Sequence, residues 1–427
     1  MRTIAQPLLK ADGLQRILPA QETFYRVRDE VRRLGVTRLA DLTGLDRIGL
    51  PVYSTIAPDS SDVISVYNGK GLRRIDAMVG ALMEAVERLV ALKSRLSMIE
   101  GSFCDLSRHH NVLDPRSLSD SLRDDYSESR IYSWVEGHDI VSDTAVLVPA
   151  RLAGYLWRDV PHPSPFTSSN TNGLAAGNCR QEAICHALCE AIERDAWTMA
   201  ELGSHHMPML RRSVVCGRNQ ADGPDDFEMF PCLDVEDRSP MEYYHSVGLH
   251  PVVRDITSEL AIPTIIASVA DDAVPGFPMA HSGLGCHPDA RVALRRALTE
   301  LAQSRCVDIQ GVREDIMPAD APFTGGLSLH TRRISALNRQ SWYLGESVAR
   351  RNLSVLPSLV NDDIQSDLDY ILGRLAACGM KQIIVVDFSP PGALYAVVRV
   401  IVPGIEYWAS DHGRIGWRAM EFWRKHA

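Results

Sequence analysis

Gly69-Lys70-Gly71-Leu72-Arg73-Arg74-Ile75-Asp76-Ala77-Met78-Val79-Gly80-Ala81-Leu82-Met83-Glu84-Ala85-Val86-Glu87-Arg88 decides how this chain folds, because a near copy returns 106 residues later. The copy runs from Gly173 through Gly177-Asn178-Cys179-Arg180-Gln181-Glu182-Ala183-Ile184-Cys185-His186-Ala187-Leu188-Cys189-Glu190-Ala191-Ile192-Glu193-Arg194. Superposition matches Gly71 with Gly177, Ala77 with Ala183, Ala81-Leu82 with Ala187-Leu188, Glu84 with Glu190 and Glu87-Arg88 with Glu193-Arg194. A fainter third copy keeps the same spacing in Ala293, Ala297-Leu298, Glu300 and Gln303.

Each copy reads as a Gly-rich turn feeding a helix that is apolar nearly all round. From Ile75 to Leu92 only Asp76, Glu84, Glu87 and Arg88 are polar, so the helix lacks a broad wet face and belongs in the interior. In the second copy Asn178, Glu182, His186, Glu190 and Glu193 step by four, four, four and three, which places them on one stripe. Carboxylates on a buried helix are costly unless paired or bound to a cation. A solvated Glu84–Arg88 pair at i, i+4 is the ordinary alternative for one copy taken alone. Repetition of the alanines, the glycine and the Glu-x-x-Glu-Arg favours a shared site for divalent ions, and oxygen ligands of this kind suit Mg²⁺.

The remaining composition narrows the choices. At 427 residues the chain fits one large domain or two intimately joined ones, with 45% hydrophobic and 23% charged residues. A net charge of −9 offers no basic footprint for a nucleic-acid backbone, so no nucleic-acid partner is expected. Nine cysteines without a Cys-x-x-Cys pair argue against a disulfide framework and against a zinc knuckle, and Cys185 and Cys189 read as core filler. No stretch approaches the ~20 apolar residues of a membrane span, and the N-terminus lacks the apolar run of a signal peptide. A cytoplasmic location without membrane contact is expected.

Periodicity predicts a helix over 19–35, strands at 49–56, 63–67, 131–135 and 145–149, and a polar surface stretch over 102–130 between them. The Pro-, Ser- and Thr-rich run 161–170 reads as a loop on the rim of a site, and 217–224 as another surface loop. Strands at 251–254 and 264–269 lead to a turn at Ser282-Gly283-Leu284-Gly285 and the third helix. Beyond Gly311 the chain is polar until Leu353, followed by a helix over 365–378 and strands at 382–387 and 395–402. The expected architecture is mixed α/β, with helices packed on mixed sheets.

These motifs resemble the YcaO family of ATP-dependent peptide backbone-modifying enzymes. The resemblance rests on Asn68–Gly71, Ala81–Arg88, Asn172–Asn178, Ala187–Arg194, Ala297–Arg305 and Val400–Gly404, in family order over about four fifths of the chain. It implies internal pseudo-repeats whose helices carry Glu84, Glu87, Glu190 and Glu193 to Mg²⁺ and the nucleotide phosphates of ATP. It further implies nucleotide contacts from Asn178, Glu182, Arg296 and Glu300, and, by spacing from Leu34-Gly35, from Arg16 and Thr23. Residues 61–405 would form the catalytic domain, 1–60 an N-terminal helix–strand segment contributing to its core, and 406–427 a C-terminal tail.

Other candidates are weaker. Gly69-Lys70-Gly71 lacks the spacing of a P-loop, so Lys70 reads as a turn residue that could also touch phosphate. Arg88 and Arg194 should pair with the Glu one turn back, and His186 stays outside a Mg²⁺ ligand set because Mg²⁺ prefers oxygen. The doublets His109-His110 and His205-His206 read as surface. Neither a Gly-x-Ser-x-Gly elbow nor a Rossmann fingerprint occurs, so the chain offers no obvious nucleophile of its own. That agrees with the family chemistry, in which an external nucleophile attacks a peptide carbonyl and ATP turns the oxygen into a leaving group. The C-terminal Phe422–Ala427 lacks the Pro-rich tail of azoline formers, and Asp41–Tyr53 resembles the thioamide-forming branch that works with a TfuA-like sulfur-delivery partner. Thioamidation of a precursor peptide or protein by a homodimer is therefore the favoured expectation. An azoline-forming cyclodehydratase and a non-catalytic ATP-binding scaffold are the alternatives.

Overall fold

Helix α1 (Ala20–Arg33) starts after Pro19 and buries Ala20, Thr23, Val27 and Val31, and Gly35, at φ 104°, turns the chain out of it. The structure, a computed structural model, describes residues 8–11, 15–118, 125–167, 170–203, 232–234, 239–271, 279–311, 342–344, 350–410 and 415–426. Strands β1 (Arg38–Asp41), β2 (Val52–Ile56) and β3 (Val66–Lys70) form a small antiparallel sheet that leads into α2 (Arg74–Lys93). Next come β4 (Met98–Ser102), α3 (Phe103–Leu106), β5 (Ile131–Asp139), β6 (Thr144–Pro149), α4 (Ala150–Ala153), β7 (Leu174–Gly177) and α5 (Arg180–Glu201). A second α/β unit contains β8 (Cys232–Asp234), α6 (Ser239–His245), β9 (Val252–Asp255), β10 (Thr264–Asp271), β11 (Met279–Cys286), α7 (Ala290–Gly311) and β12 (Arg350–Asn352). Helix α8 (Ile364–Ala377), β13 (Ile384–Asp387), β14 (Ala396–Ile401) and α9 (Trp417–His426) complete the described chain.

The described strands make three sheets. Beside the β1-β2-β3 sheet lie a six-stranded one ordered β4-β5-β13-β14-β7, with β6 on β5, and a five-stranded one ordered β11-β10-β9-β8-β12. In the latter, among the described residues, only β8 and β12 run parallel. Mixed α/β architecture is therefore observed as expected.

The repeats turn out to be strand–helix units, β3–α2, β7–α5 and β11–α7, which corrects one expectation. Ser282–Gly285 is not a turn but part of β11, and Gly69 and Gly177 likewise lie in strands. Their glycines serve close approach. A Cβ on Gly69 would stand 2.1 Å from Ala77 O and from Ala81 N, one on Gly283 2.2 Å from Leu301 N, and one on Gly177 2.5 Å from Ala183 N. Strand backbone thus lies directly on helix backbone, and the motif alanines are the small residues that permit it.

Each motif helix is buried in its own apolar cluster. Leu82, Val86 and Leu89 of α2 pack with Val135 and Val397; Ile184, Leu188 and Ile192 of α5 pack with Leu368 and Val398; Leu294, Leu298 and Leu301 of α7 pack with Ile265 and Val253. Each such fully buried side chain contributes about 1.5–3 kcal/mol relative to exposure.

One further expectation needs correction. The stretch 102–130 is not all surface: Ser102 lies in β4, a strand missed from sequence, and Leu113 and Leu118 are buried. The C-terminal segment packs on α5, with Arg418 Nη1 against Asp195 Oδ1 at 2.5 Å and Glu406 accepting from Gly416 and Ala419 N–H at 2.7 and 3.0 Å. The loop at 217–224, His205-His206 and most of the polar stretch between Gly311 and Leu353 lie outside the described residues. No described helix is long and apolar enough to cross a membrane.

Candidate active site

The three strand–helix units meet around a cavity of about 840 Å³. Glu84 and Glu87 enter from α2, Glu190 and Glu193 from α5, and Glu300 with Gln303 from α7. Because each helix rests on its glycine strand in the same way, the equivalent Glu of every copy is delivered to one space.

Charge compensation in that space is incomplete. Burial pushes the Glu84 carboxyl up to about 7 even though Arg88 and Lys70 pull it down. Burial and then the charges of Glu190 and Glu84 hold Glu87 well above the usual carboxylate range. Glu193 is pushed up to about 7 by burial and by Glu300, and burial also raises Glu190. Glu300 differs: burial opposes its ionisation, but Lys70, with Nζ 2.6 Å from Oε2, and Arg194 outweigh it and hold the carboxyl low.

The cavity cations are mostly committed. Arg16 Nη1 donates to Glu182 Oε1 at 3.0 Å, Lys70 to Glu300, and Arg296 to His186 Nδ1 at 2.8 Å and Cys286 O at 3.0 Å. Arg88 corrects an expectation. It turns from Glu84 to Asp62, at 2.9 and 3.1 Å, and to the Tyr155 hydroxyl at 2.5 Å. Arg194 stands 3.9 Å from Glu190 and 4.0 Å from Glu193, too far for strong hydrogen bonds, and its Nε has no partner among the described residues. Glu84 accepts the Asn68 N–H at 3.0 Å, and Glu87 the Ala176 N–H.

Four carboxylates raised by burial and mutual repulsion, with hard oxygen donors, fit a divalent cation. Among the described residues no three acidic, His or Cys side chains already close around one point. That spread suits Mg²⁺, which takes one or two carboxylates and completes its shell with waters and phosphate oxygens.

Thr23, Asn178 and Glu182 do not line the cavity. They form a buried network one layer behind it: the Thr23 hydroxyl donates to Asn178 Oδ1 at 2.9 Å, and Asn178 Nδ2 to Glu182 Oε1 at 3.0 Å and Oε2 at 3.2 Å. Ile17 N–H donates to Glu182 Oε2 at 3.0 Å, so the network clamps the segment before α1 onto the start of α5 and holds Arg16 at the cavity edge. His186 does line the cavity; burial first, then Arg296 and Arg16, push its pKa well below normal, so it is neutral and accepts at Nδ1. Sequence reasoning missed Asp62, whose partner lies 26 residues away, and the His281–Asp308 pair in the wall.

A fold of three glycine-seated strand–helix units that brings the pairs Glu84–Glu87 and Glu190–Glu193, with Glu300, to one cavity fits the class of divalent-cation-binding proteins. The family model described as YcaO cyclodehydratase, ATP- and Mg²⁺-binding, matches residues 68–406, and the chain belongs to this family, with ATP and Mg²⁺ as its cofactors. It is 34% identical over 403 residues to an uncharacterized protein of Methanothermobacter thermautotrophicus, covering 93% of this chain and 96% of that one. It is 32% identical over 412 residues to an uncharacterized protein in the tfuA 3′ region of Rhizobium leguminosarum bv. trifolii, covering 95% and 91%. The fold is shared with YcaO from Methanopyrus kandleri bound with AMPPCP and Mg²⁺, at a TM-score of 0.68 and 24% identity over 94% of this chain and 95% of that chain.

Proposed function

We propose that the protein activates a peptide backbone amide by ATP-dependent O-phosphorylation and installs a thioamide with an external sulfide donor. The observation that carries the reading is the cavity, whose opposed carboxylate pairs remain short of positive charge. In this reading Glu84, Glu87, Glu190 and Glu193 hold Mg²⁺. Glu300 and Arg296 face the nucleotide together with Arg16, which Thr23, Asn178 and Glu182 position. Bound Mg²⁺-ATP supplies a phosphoryl group that makes the amide oxygen a competent leaving group. The chain's own part is to bind, orient and neutralise charge in a recessed space.

Two observations support an external sulfur nucleophile. Among the described residues no cysteine lines the cavity, and Cys185, Cys189 and Cys286 are buried elsewhere in α5 and β11. The relative in the tfuA 3′ region supports a TfuA-like partner as sulfur carrier. A precursor peptide or protein as substrate, a homodimer and a cytoplasmic setting complete the proposal.

The second reading is azoline formation by a Cys, Ser or Thr of the substrate. A heterocyclase in complex with substrate and cofactor, at a TM-score of 0.71, favours it at the level of shared fold. Incubating the enzyme with Mg²⁺-ATP, sodium sulfide and a candidate precursor peptide separates the readings by product mass. Exchange of oxygen for sulfur is expected, loss of one water identifies an azoline, and an unchanged mass assigns the chain to a scaffold role.

A further inference from the structure

Strands β3, β7 and β11 of the three repeats are each the last strand of their own sheet, so three free edges border one cavity. Just beyond β11 the His287 N–H donates to Pro263 O at 3.1 Å. Antiparallel partners exchange hydrogen bonds at every second residue, so in this register the odd-numbered residues of β11 bond to β10. Ala280, Ser282, Leu284 and Cys286 therefore turn their N–H and C=O to the open side. At the deep end the site itself uses these groups: Leu284 N–H donates to Glu300 Oε1 at 3.3 Å, and Cys286 O accepts from Arg296 Nη1 at 3.0 Å. Ala280 and Ser282, half-buried and both lining the cavity, have no such partner among the described residues.

The donors of the other two edges are occupied. Along β7 the outward N–H groups of Leu174, Ala176 and Asn178 donate to Thr171 O at 2.8 Å, to Glu87 and to Glu182 Oε1 at 3.1 Å. Along β3 the Asn68 N–H donates to Glu84 Oε2 at 3.0 Å, which leaves, among outward residues lining the cavity, only Lys70 at the strand's end. The open stretch of β11 is also undefended. Edge strands are commonly blunted by Lys, Pro or a bulge. Ala280-His281-Ser282-Gly283 has neither residue, and its register with β10 runs unbroken from Met279 to Cys286.

Beside this stretch the cavity changes character. Gly283 is seated at Leu301 and His281 reaches Asp308, so Gln303 and Ser304 of α7 stand alongside Ser282. Gln303 takes the place that Glu87 and Glu193 hold in the other copies, and neither its amide nor the Ser304 hydroxyl has a hydrogen-bond partner among the described residues. Val307, one turn further along and 37% exposed, marks the outer end. Carboxylates thus line the deep end, where they suit Mg²⁺ and its phosphate, while uncharged donors and acceptors line the outer end, where they suit a peptide.

We propose that the free edge of β11 at Ala280 and Ser282 binds the substrate peptide as an added β-strand. The proposal rests on the amide-activation reading above for its ligand and names how that ligand is held. An extended chain about 4.8 Å from the edge exchanges N–H···O=C bonds with Ser282 and Ala280 at every second residue. Strand addition of this kind draws affinity from the main chain and specificity from alternate side chains, here those that meet Gln303 and Ser304. Each residue advances about 3.3 Å, so an amide two residues past the one opposite Ser282 lies beside Leu284, where Glu300 closes the edge and the acidic end begins.

Random-sequence peptides of about twelve residues, twice the length of a common strand, are displayed and selected on the protein loaded with Mg²⁺ and AMPPCP. The most enriched sequence is then synthesised with a fluorescent label and with one N-methylated amide at each position in turn. Anisotropy should show binding weakened roughly tenfold or more by N-methylation at alternate residues and held within about threefold at those between. Ser282→Pro removes an outward N–H without touching the β10 ladder, and proline is tolerated at such an edge position. It should lower peptide affinity roughly tenfold or more while Mg²⁺-AMPPCP affinity stays within about threefold. Should that variant lose nucleotide affinity by misfolding, Ala280→Pro and the N-methyl series, which needs no variant, decide. A selection that enriches no peptide, an N-methyl profile without the two-residue period, or full peptide affinity in the proline variant overturns the proposal. AMPPCP cannot transfer its terminal phosphoryl group, so failure here leaves the amide-activation reading standing, and an unchanged product mass in the assay above leaves the docking result standing.

Discussion

Lys70 Nζ stands 2.6 Å from Glu300 Oε2, so the end of the first repeat's strand is tied to the third repeat's helix across the cavity. Lys70 and Arg194 keep Glu300 ionised where its counterparts Glu84 and Glu190 are raised by burial. Lys70→Met should therefore lift the Glu300 pKa and lower stability above pH 4.5, the window in which a depressed carboxyl contributes. Both partners are about a quarter exposed, so a double-mutant cycle with Glu300→Gln should give a coupling of about 1 kcal/mol in urea denaturation. A coupling indistinguishable from zero would show that the contact is not electrostatically significant.

Removing a carboxylate from the cavity should separate binding from folding. Glu84→Gln and Glu190→Gln each delete a charge that burial already disfavours. The metal-free variants should melt no lower than wild type, while Mg²⁺-ATP affinity falls by roughly tenfold or more. Isothermal calorimetry beside thermal denaturation checks both halves, and unchanged affinity in the two variants would remove these residues from the ion site.

The raised carboxyls also set a pH dependence. Glu84 and Glu193 titrate near 7 in the folded chain against an ordinary value of 4.5, so the metal-free fold holds protons that the unfolded chain has released. Their contribution to stability is complete below 4.5 and is lost as pH rises through about 7. Mg²⁺ requires the ionised form, so its affinity should rise over the same window and binding near neutrality should expel protons. Calorimetry in two buffers of different ionisation enthalpy measures that release directly; identical heats would contradict it.

How much of this was legible in the sequence follows from the range of the contacts. Helices α2, α5 and α7 could be read because their apolar surfaces and repeated Ala-Leu-x-Glu spacing are local signals. The role of the glycines could not, since Gly283 is required by Leu301 N, and a strand glycine on a helix looks the same in sequence as a turn glycine. Arg88 was misassigned for a similar reason: Glu84 is one turn away in sequence, but Asp62 arrives from the β2–β3 connection with two hydrogen bonds. Thr23 and Asn178 are joined over 155 residues of separation, which no periodicity reports. His281 left one faint trace, a histidine two residues before Gly283 on the same strand face.

The strand–helix seating itself predicts a contrast between two glycines. At Gly283 a Cβ would meet Leu301 N at 2.2 Å and Ala297 O at 2.4 Å, both helix backbone, so no side-chain rotation relieves the clash. Gly283→Ala must push α7 off β11, which costs at least about 1–3 kcal/mol by overpacking. Glu300 lies between the two clashing residues and accepts Leu284 N–H at 3.3 Å, so its carboxylate moves with the helix. Weaker Mg²⁺-ATP binding should accompany the lost stability. Gly373, inside α8, has nothing within 4 Å of the position a Cβ would take and no positive φ, so Gly373→Ala should instead stabilise by about 0.5–1 kcal/mol through helix propensity. Urea midpoints of the two variants should move in opposite directions, and nucleotide affinity should change only in Gly283→Ala; a neutral Gly283→Ala would mean the strand is not seated on the helix backbone.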